Sequence, residues 1–336
     1  MKRRPFPQCW VARRCRAAVS VRPGRARFRA FLFACLAVFA AGATLHAAPI
    51  VVTDDRGFAA RLEHPAHRIV TLSPNLTELA FAAGAGNAVV GVADFSDFPP
   101  DAKRLPLVAS AAGIDLERIL ALKPDLVLAW KSGNRPADLD RIEKLGIPVI
   151  ATEPQRLADV PRITRIIGRA AGTTPAAEAS ARAFEAELAR LRARYSGARE
   201  VTVFYQVWER PLMTIGGAHI IDEAIRFCGG RNVFADLKPL APEVSLESVI
   251  AADPDAILVG GDAQSGIGGW ERLDSLRAVA AKRIYRIDPS RIERATPRLS
   301  QGVAEICDKL ERAREPGSDA DAASGIQHRT GGQAGR

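Results

Sequence analysis

The sequence has few cysteines and histidines, five of each in 336 residues, and it lacks the spacings that make such residues reactive. There is no C-x-x-C pair, no G-x-S-x-G serine motif and no pair of carboxylates beside a histidine. His64 and His67 occur in the motif EHPAH, but no third residue has the spacing of a metal ligand. We therefore expect neither catalysis nor a metal site, which argues against a hydrolase or reductase on an α/β scaffold.

Phosphate-binding motifs and a general excess of basic charge are also missing. The glycine-rich residues 260–269, GGDAQSGIGG, lack the Lys-Ser/Thr of a P-loop and the dinucleotide spacing, so we predict a flexible loop at the rim of a cleft. The formal net charge is +9, but ten of the 47 Lys and Arg lie within residues 1–30, which contain no acid. Removing those ten leaves 37 basic against 38 acidic residues. Such a neutral body does not favour nucleic acid as a partner.

The basic N-terminal stretch is typical of an export signal. It precedes an apolar run of sixteen residues, Ala30 to Leu45, and then the small residues around Ala47 and Ala48. This order predicts a secretory signal peptide over residues 1–48. An uncleaved membrane anchor is the alternative, but its span would need about 20 apolar residues. We expect an exported protein.

Cysteine usage is consistent with export. Cys9, Cys15 and Cys35 lie in the predicted signal peptide, so only Cys228 and Cys307 remain in the mature chain. Two cysteines in an oxidising compartment favour one disulfide, and two buried free thiols are the alternative. A disulfide between residues 79 positions apart stabilises the folded chain by about 4–5 kcal/mol in the chain-entropy model.

One segment of fifteen residues occurs twice, 130 positions apart. LERILALKPDLVLAW runs from Leu116 to Trp130, and LESVIAADPDAILVG runs from Leu246 to Gly260. Apolar residues at helical spacing precede a Pro-Asp pair, and a continuous apolar run follows it. Each copy therefore predicts a helix, a break and a buried strand. Two copies predict two similar lobes.

Each copy also places one glutamate in the first turn of its helix. Asp115 and Ser245 stand at the N-cap positions, and Glu117 and Glu247 follow where the helix dipole favours a carboxylate. A single glutamate at a helix start needs no functional explanation. Two glutamates in register favour a pseudo-two-fold arrangement, which suits a partner that is itself two-fold.

Strands and helices alternate on both sides of one long predicted helix. Residues 175–195 are rich in Ala, Glu, Leu and Arg and have Pro at the first turn, so they predict a helix of about 31 Å. Alternation predicts parallel sheets covered by helices. The predicted strands span residues 68–73, 88–93, 125–130 and 148–152 before this helix, and 201–208, 212–216, 256–260 and 283–288 after it.

The predicted fold class is therefore α/β, with two Rossmann-like lobes whose parallel central sheets are joined by one long rigid helix. Beyond about Arg314 the chain lacks apolar residues and should be disordered. The predicted divisions are an N-terminal lobe at 49–172, a bridging helix at 173–197, a C-terminal lobe at 198–314 and a tail at 315–336.

Six stretches of this sequence resemble the periplasmic binding proteins of ABC importers for vitamin B12, iron-siderophores and haem, the class III binding proteins. The likeness runs from about residue 68 to about residue 312 and is strongest to the cobalamin-binding branch. The stretches are RIVTLSPNLTELAFAAGAG, VGVADFSDFPP, GIDLERILALKPDLVLAW, FCGGRNVFADL, PEVSLESVIAADPDAILVGG and IERATPRLSQGVAEICDKL.

The resemblance implies roles for particular residues. Glu117 and Glu247 match glutamates that dock against arginines of a dimeric permease, and Cys228 and Cys307 match the family disulfide. Phe95 and Trp130 match aromatic residues of the ligand cleft. The candidate ligand-binding residues are Asn75, Phe95, Trp130, Trp208, Ser290, Arg291, Ile292, Glu293 and Arg294.

The resemblance also implies a function and a location. We expect a periplasmic monomer that needs no cofactor, captures cobalamin or a related corrinoid, and delivers it to an ABC permease in the inner membrane. Haem or an iron-siderophore is the alternative ligand. Ala111 and Ala241 stand where the cobalamin binder has tryptophans, and Ser290 stands where it has an aspartate. Each lost aromatic removes about 150–250 Å² of contact area, which favours a wider pocket, a larger role for Trp208, or another corrinoid such as cobinamide.

Overall fold

The computed structural model describes residues 48–261 and 266–315. The predicted signal peptide up to residue 47, four residues of the glycine-rich loop and the predicted tail beyond Glu315 lie outside the described residues. Within the described ranges, no helix is long and apolar enough to cross a membrane.

From residue 48 to the long helix the chain has eight strands, and six of them form one sheet. β1 and β2 make a separate antiparallel hairpin, and the sheet has the order β6-β5-β4-β3-β7-β8, in which only the β5–β6 pair is antiparallel. This largely parallel sheet is the one that alternation of strand and helix predicts. The strands are β1 (Ile50–Thr53), β2 (Ala59–Leu62), β3 (Ile69–Thr71), β4 (Val89–Ala93), β5 (Leu107–Ser110), β6 (Gly113–Ile114), β7 (Leu126–Trp130) and β8 (Val149–Thr152).

Helices cover both faces of this sheet. Leu126 and Leu128 of β7 pack into a core on one face, and Val127 and Ala129 pack into a second core on the other. A strand that is buried on both faces reads as a continuous apolar run, as this strand does. The helices of this lobe are α1 (Pro74–Ala82), α2 (Leu116–Ala121), α3 (Pro136–Lys144) and α4 (Asp159–Ala170).

The long helix is α5 (Thr174–Tyr195), which agrees with the predicted span to within one residue. Its buried side chains include Ala177, Phe184 and Leu191, which lie on one stripe and pack into the larger core. The same core contains residues of both sheets. The helix therefore joins the two lobes by packing as well as by chain connection.

The second lobe contains a four-stranded parallel sheet of order β10-β9-β11-β12. Its strands are β9 (Val201–Gln206), β10 (Gly230–Asn232), β11 (Ala256–Val259) and β12 (Ile284–Arg286). Its helices are α6 (Ile220–Phe227), α7 (Leu246–Ala252), α8 (Ile267–Trp270), α9 (Arg277–Ala280), α10 (Pro289–Ile292) and α11 (Leu299–Arg314). The predicted disulfide is present: Cys228, after α6, is bonded to Cys307 of α11.

The two copies of the repeated segment adopt the same local conformation. The side chains of Asp115 and Ser245 each accept the backbone N–H three residues later, which caps α2 and α7. Each helix is followed by a residue with positive φ, 47° at Lys123 and 38° at Asp253. Left-handed residues of this kind end helices and precede a change of direction. The predicted pattern of helix, break and strand is therefore confirmed in both copies.

The two copies also occupy equivalent places in their sheets. β7 pairs with β3, the first strand of its sheet in the chain, and β11 pairs with β9, the first strand of the second sheet. Asp125 accepts the backbone N–H groups of His67 and Arg68, and Asp255 accepts the backbone N–H of Thr202. The Pro-Asp aspartate thus ties each copy to the start of the first strand in its sheet.

The predicted strand at residues 212–216 is wrong. Only Met213 makes isolated bridges, to Trp208 and Glu243. The neighbouring backbone N–H groups of Thr214 and Gly216 donate to the carbonyls of Pro242 and Leu240, so this segment pairs with a loop and not with the sheet. Residues 267–280 contain two short helices, α8 and α9, and not one continuous helix.

Candidate functional site

A cavity of about 300 Å³ lies between the two lobes. The first lobe contributes residues that follow β3 and β8 and the end of β7, and the second contributes the start of α6 and the segment after α10. Ligands of open α/β sheets bind at these carboxyl ends of strands. Of the candidate ligand residues, Asn75, Trp130, Glu293 and Arg294 line this cavity.

A second cavity, of about 370 Å³, adjoins the first on the side of the first lobe. It includes Phe95 and Ala111, and it shares Ser73, Pro74 and Trp130 with the first cavity. The two therefore form one continuous cleft with Trp130 at their junction. Their volumes fall in the range of small-molecule sites.

Trp130 is the last residue of β7, and its side chain is held in place by neighbours. Its Nε1 donates to Oε1 of Glu153 (3.1 Å), and 41% of the residue is exposed. The indole packs against Gly133, where an added Cβ would lie 1.9 Å from the ring. Gly133 is therefore required for this position of the indole.

Phe95 presents a nearly free aromatic ring to the cleft. The residue is 71% exposed and has a φ of 61°. A bulky residue in the left-handed region is strained, at a cost of about 1–2 kcal/mol. Its own N–H donates to Oδ1 of Asp94 (2.9 Å), and its carbonyl accepts from the N–H of Asp97 (2.9 Å) and from Nη2 of Arg294 (3.2 Å). The bond from Arg294 comes from the other lobe.

The predicted ligand-contacting stretch at 290–294 divides into two parts. Glu293 and Arg294 reach the cleft. Ser290 and Arg291 instead bind Asp288, at 2.8 Å and 3.0 Å, and Ile292 is fully buried in the core. These three residues belong to the short helix α10 (Pro289–Ile292), and the structure places only the C-terminal end of that helix at the cavity.

Trp208 and Ala241 do not line either cavity in the described part of the protein. Trp208 is half exposed after β9, and its Nε1 donates to the carbonyl of Arg210 (3.0 Å). Ala111 does line the second cavity. A small side chain thus stands on the first-lobe wall of the cleft.

An ion cluster centred on Glu78 connects the lobes beside the cleft. The Glu78 side chain is only 2% exposed and lies on α1. Its Oε1 accepts from Arg294 (3.0 Å) and Arg298 (2.6 Å), and its Oε2 accepts from Nε of Arg298 (2.9 Å). Arg294 also donates to Asp97 (2.5 Å). Both arginines belong to the second lobe, whereas both carboxylates belong to the first.

A second polar contact crosses between the lobes. The backbone N–H of Leu157, just before α4, donates to Oε2 of Glu223 on α6 at 2.5 Å. Together with the shared core, these contacts fix the two lobes against each other. The shape of the cleft is therefore set by contacts within the protein itself.

His219 is a wall residue of the cleft that the sequence did not single out. It precedes α6, and its Nδ1 accepts the N–H of Ile221 (3.1 Å) as an N-cap. Desolvation by the surrounding protein lowers the pKa of His219 to about 4, although the nearby Asp222 acts to raise it. The imidazole is thus neutral at pH 7. Its position directly before an amphipathic helix was the only sequence signal for this role.

Two acids, one beside the cleft and one within it, have pKa values shifted in opposite directions. Desolvation acts to raise the pKa of Asp97, but the hydrogen bond from Arg294, the charges of Arg294 and Lys103 and a backbone hydrogen bond together outweigh it, so the pKa is lowered. Desolvation raises the pKa of Glu293, even though the residue remains accessible from the cleft and accepts the N–H of Gly261 (3.0 Å). A firmly ionised carboxylate thus lies beside the cleft, and one that is more easily protonated lies within it.

The two repeated glutamates lie on exposed helix starts outside the cleft. Within the described parts of the chain, neither Glu117 nor Glu247 has a basic group within ion-pair distance. Within the same parts, no cluster of three His, Cys, Asp or Glu residues could hold a metal ion.

Comparison with known proteins places this architecture in a class. Residues 69–290 match the family described as periplasmic binding protein, and the chain belongs to that family. This membership confirms the predicted fold class and the expectation of a binding protein and not an enzyme.

Individual relatives are more specific. A vitamin B12-binding protein of Vibrio parahaemolyticus is 34% identical over 74% of this chain and 91% of its own length. The crystal structure of the periplasmic vitamin B12 binding protein BtuF of Vibrio cholerae matches with a TM-score of 0.71 at 32% identity, over 75% of this chain and 99% of that one. The periplasmic heme-binding protein RhuT from Roseiflexus sp. RS-1, in apo form, matches with a TM-score of 0.66 at 29% identity, over 74% of this chain and all of that one.

Proposed function

We propose that this protein binds cobalamin or a related corrinoid in the cleft between its lobes and delivers it to an ABC permease. The observation that carries the proposal is a preformed cleft with Trp130 at its centre and residues of both lobes on its walls. An aromatic ring at such a position provides a large apolar surface for a flat macrocycle. The similarity to vitamin B12-binding proteins supports a corrinoid as that macrocycle.

Haem is the competing ligand, because a heme-binding protein is among the structural relatives. Titration of the mature protein with cyanocobalamin, cobinamide and haem, followed by calorimetry, separates the two. We expect corrinoid binding and weak or no haem binding. Binding of haem without corrinoid would move the protein to the haem-binding group.

The role of the cleft can be tested with one pair of tryptophan variants. Trp130→Ala removes the indole at the junction of the cavities, and we expect corrinoid affinity to fall by tenfold or more. Trp208→Ala is the matched control, because Trp208 is also exposed but lines neither cavity in the described structure. Equal losses in the two variants would contradict this placement of the ligand.

We also propose that the starts of α2 and α7 dock onto a permease dimer. Glu117 and Glu247 occupy equivalent positions, and each is followed one turn later by an exposed aliphatic residue, Leu120 (41% exposed) and Ile250 (38% exposed). Residues three apart lie on the same helix face. Each lobe therefore offers an acid beside an apolar contact, which suits a two-fold partner with basic and apolar groups at its periplasmic surface.

Charge reversal tests the docking surface. Glu117→Arg combined with Glu247→Arg should abolish corrinoid uptake by cells while leaving the affinity for cyanocobalamin unchanged. Asp140→Arg combined with Glu271→Arg is the control, because it changes the net charge equally on exposed residues, one in each lobe. Uptake that survives the first pair, or fails equally with the second, would contradict the docking proposal.

Export and domain organisation complete the proposal. A periplasmic location follows from family membership, and we propose that residues 1–48 are the signal peptide that produces it. Mass spectrometry of the mature N-terminus tests the cleavage site. We further propose division into lobes at 49–172 and 198–314, with the bridging helix at 173–197, and a monomeric state that sedimentation can check.

A further inference from the structure

His219 combines a fixed helix cap with an open position on the cleft wall. The residue lines the cavity between the lobes, together with Trp130 and Asn75 from the opposite side. Its Nδ1 is occupied by the N–H of Ile221, and its Nε2 has no hydrogen-bond partner among the described residues. Nδ1 thus caps the helix, whereas Nε2 is available to a ligand in the cleft.

The helix cap determines the tautomer. A backbone N–H can only donate, so Nδ1 of His219 must carry the lone pair, and the proton of the neutral ring must be on Nε2. Burial keeps the ring neutral at pH 7, because it lowers the pKa to about 4. Other charged groups at the cavity are Glu153, Glu293 and Arg294, and Asp222 lies on α6 itself. The available atom is therefore a hydrogen-bond donor.

This tautomer is unsuited to metal coordination. A metal bound at Nε2 would displace its proton to Nδ1, and the N–H of Ile221 would then face a second donor. A carbonyl oxygen, in contrast, can accept from Nε2 without changing the cap. Corrinoids carry amide side chains around the ring, and these provide such oxygens.

We propose that His219 donates a hydrogen bond from Nε2 to a peripheral amide carbonyl of the bound corrinoid, and that it does not ligate the central metal. The proposal rests on the corrinoid-binding function proposed above. It assigns to the start of α6 a specificity contact that the second lobe makes across the cleft from Trp130.

Two substitutions separate the cap from the donor. In His219→Asn the amide oxygen can replace Nδ1 as the cap, but no donor reaches the position of Nε2. In His219→Gln the amide nitrogen can replace Nε2, but the cap is lost. We expect cyanocobalamin affinity to fall about fivefold to tenfold in His219→Asn and to stay within about twofold in His219→Gln, since one hydrogen bond has about this effect. Thermal unfolding should show the opposite order, with His219→Gln the less stable.

The outcomes distinguish the two proposals. If the wild-type protein binds no corrinoid, the proposed function fails and this contact fails with it. If the wild type binds but His219→Asn binds equally well, or His219→Gln is the weaker binder, only the role of His219 is overturned. Aquocobalamin has an exchangeable axial water, so its visible spectrum reports coordination. A spectral shift on binding to the wild type that is lost in His219→Asn would show that His219 is an axial ligand, which would also overturn the proposal.

Discussion

The Glu78 ion cluster should contribute more to stability than any exposed ion pair of the protein, and Glu78→Gln tests this. Both carboxylate oxygens accept from arginines, and Arg298 approaches with Nε and Nη2 in a two-pronged arrangement. Glutamine would place an amide N–H against these donors and leave Arg298 without a carboxylate. Removing one partner of a buried pair costs about 3–5 kcal/mol.

The expected loss here is somewhat smaller. Arg294 and Arg298 are 20% and 19% exposed, and Arg294 keeps its contact with Asp97, so we expect about 2–4 kcal/mol. For a domain of this size that corresponds to a fall in melting temperature of roughly 4–7 °C. Urea denaturation followed by circular dichroism gives the free energy directly.

A matched control and a double variant sharpen the test. Glu63→Gln removes the carboxylate that pairs with Arg61, where the two side chains are 71% and 61% exposed, and it should cost less than about 1 kcal/mol. Combining Glu78→Gln with Arg298→Gln should cost less than the sum of the single changes, because the two groups interact directly. A Glu78→Gln protein as stable as Glu63→Gln would refute the reasoning.

Three further predictions follow from the described contacts. Replacing Cys228 and Cys307 together with alanine should lower the free energy of unfolding by about 2–5 kcal/mol, measured against the wild type with its disulfide intact. The pKa of His219 falls from 6.5 to about 4 on folding, so the unfolded chain binds the extra proton. The free energy of unfolding should therefore reach its full value above pH 6.5 and fall as the pH is lowered towards 4, with a loss from His219 of about 2 kcal/mol at pH 5. Urea titrations of His219→Asn should show a smaller loss. Gly133→Ala would push the indole of Trp130 from its place, so it should weaken corrinoid binding with little loss of folded protein, and unchanged affinity would contradict the placement of the ring.

The repeated unit could be predicted from sequence because its determinants are local. An N-cap, a helical apolar spacing and a Pro-Asp break lie within fifteen residues, and each acts on its neighbours. The structure adds what a local pattern cannot contain, namely that Asp125 and Asp255 bind backbone N–H groups at the start of the first strand in each sheet. The strand predicted at residues 212–216 does not form, because its pairing depends on residues outside the local sequence. Its apolar composition favours a strand, but its hydrogen-bond partners are the carbonyls of a loop some 25 residues away.

The cleft was predicted less completely than the fold. Trp130 could be found because it ends a buried strand, where ligand sites of parallel sheets occur. Glu78 could not, since its partners Arg294 and Arg298 are 216 and 220 residues away and only the packed lobes bring them together. In the sequence Glu78 is one acid within an apolar helix. Only its burial in the folded protein makes its ion pairs important for stability.

The contacts of Arg294 also change the interpretation of how the cleft selects its ligand. An arginine has five N–H donors, and here Nη1 serves Glu78 and Asp97 while Nη2 serves the carbonyl of Phe95. A ligand that claimed these donors would have to break contacts that join the lobes. Arg294 therefore acts chiefly by holding Phe95 in its strained, exposed conformation and by fixing the width of the cleft. Because α5 is a continuous helix without a hinge loop, the lobes have little freedom to adjust that width around a ligand. Discrimination between corrinoids should then depend on the fixed wall positions: the aromatic rings of Trp130 and Phe95, the small side chain of Ala111, and the donor at His219.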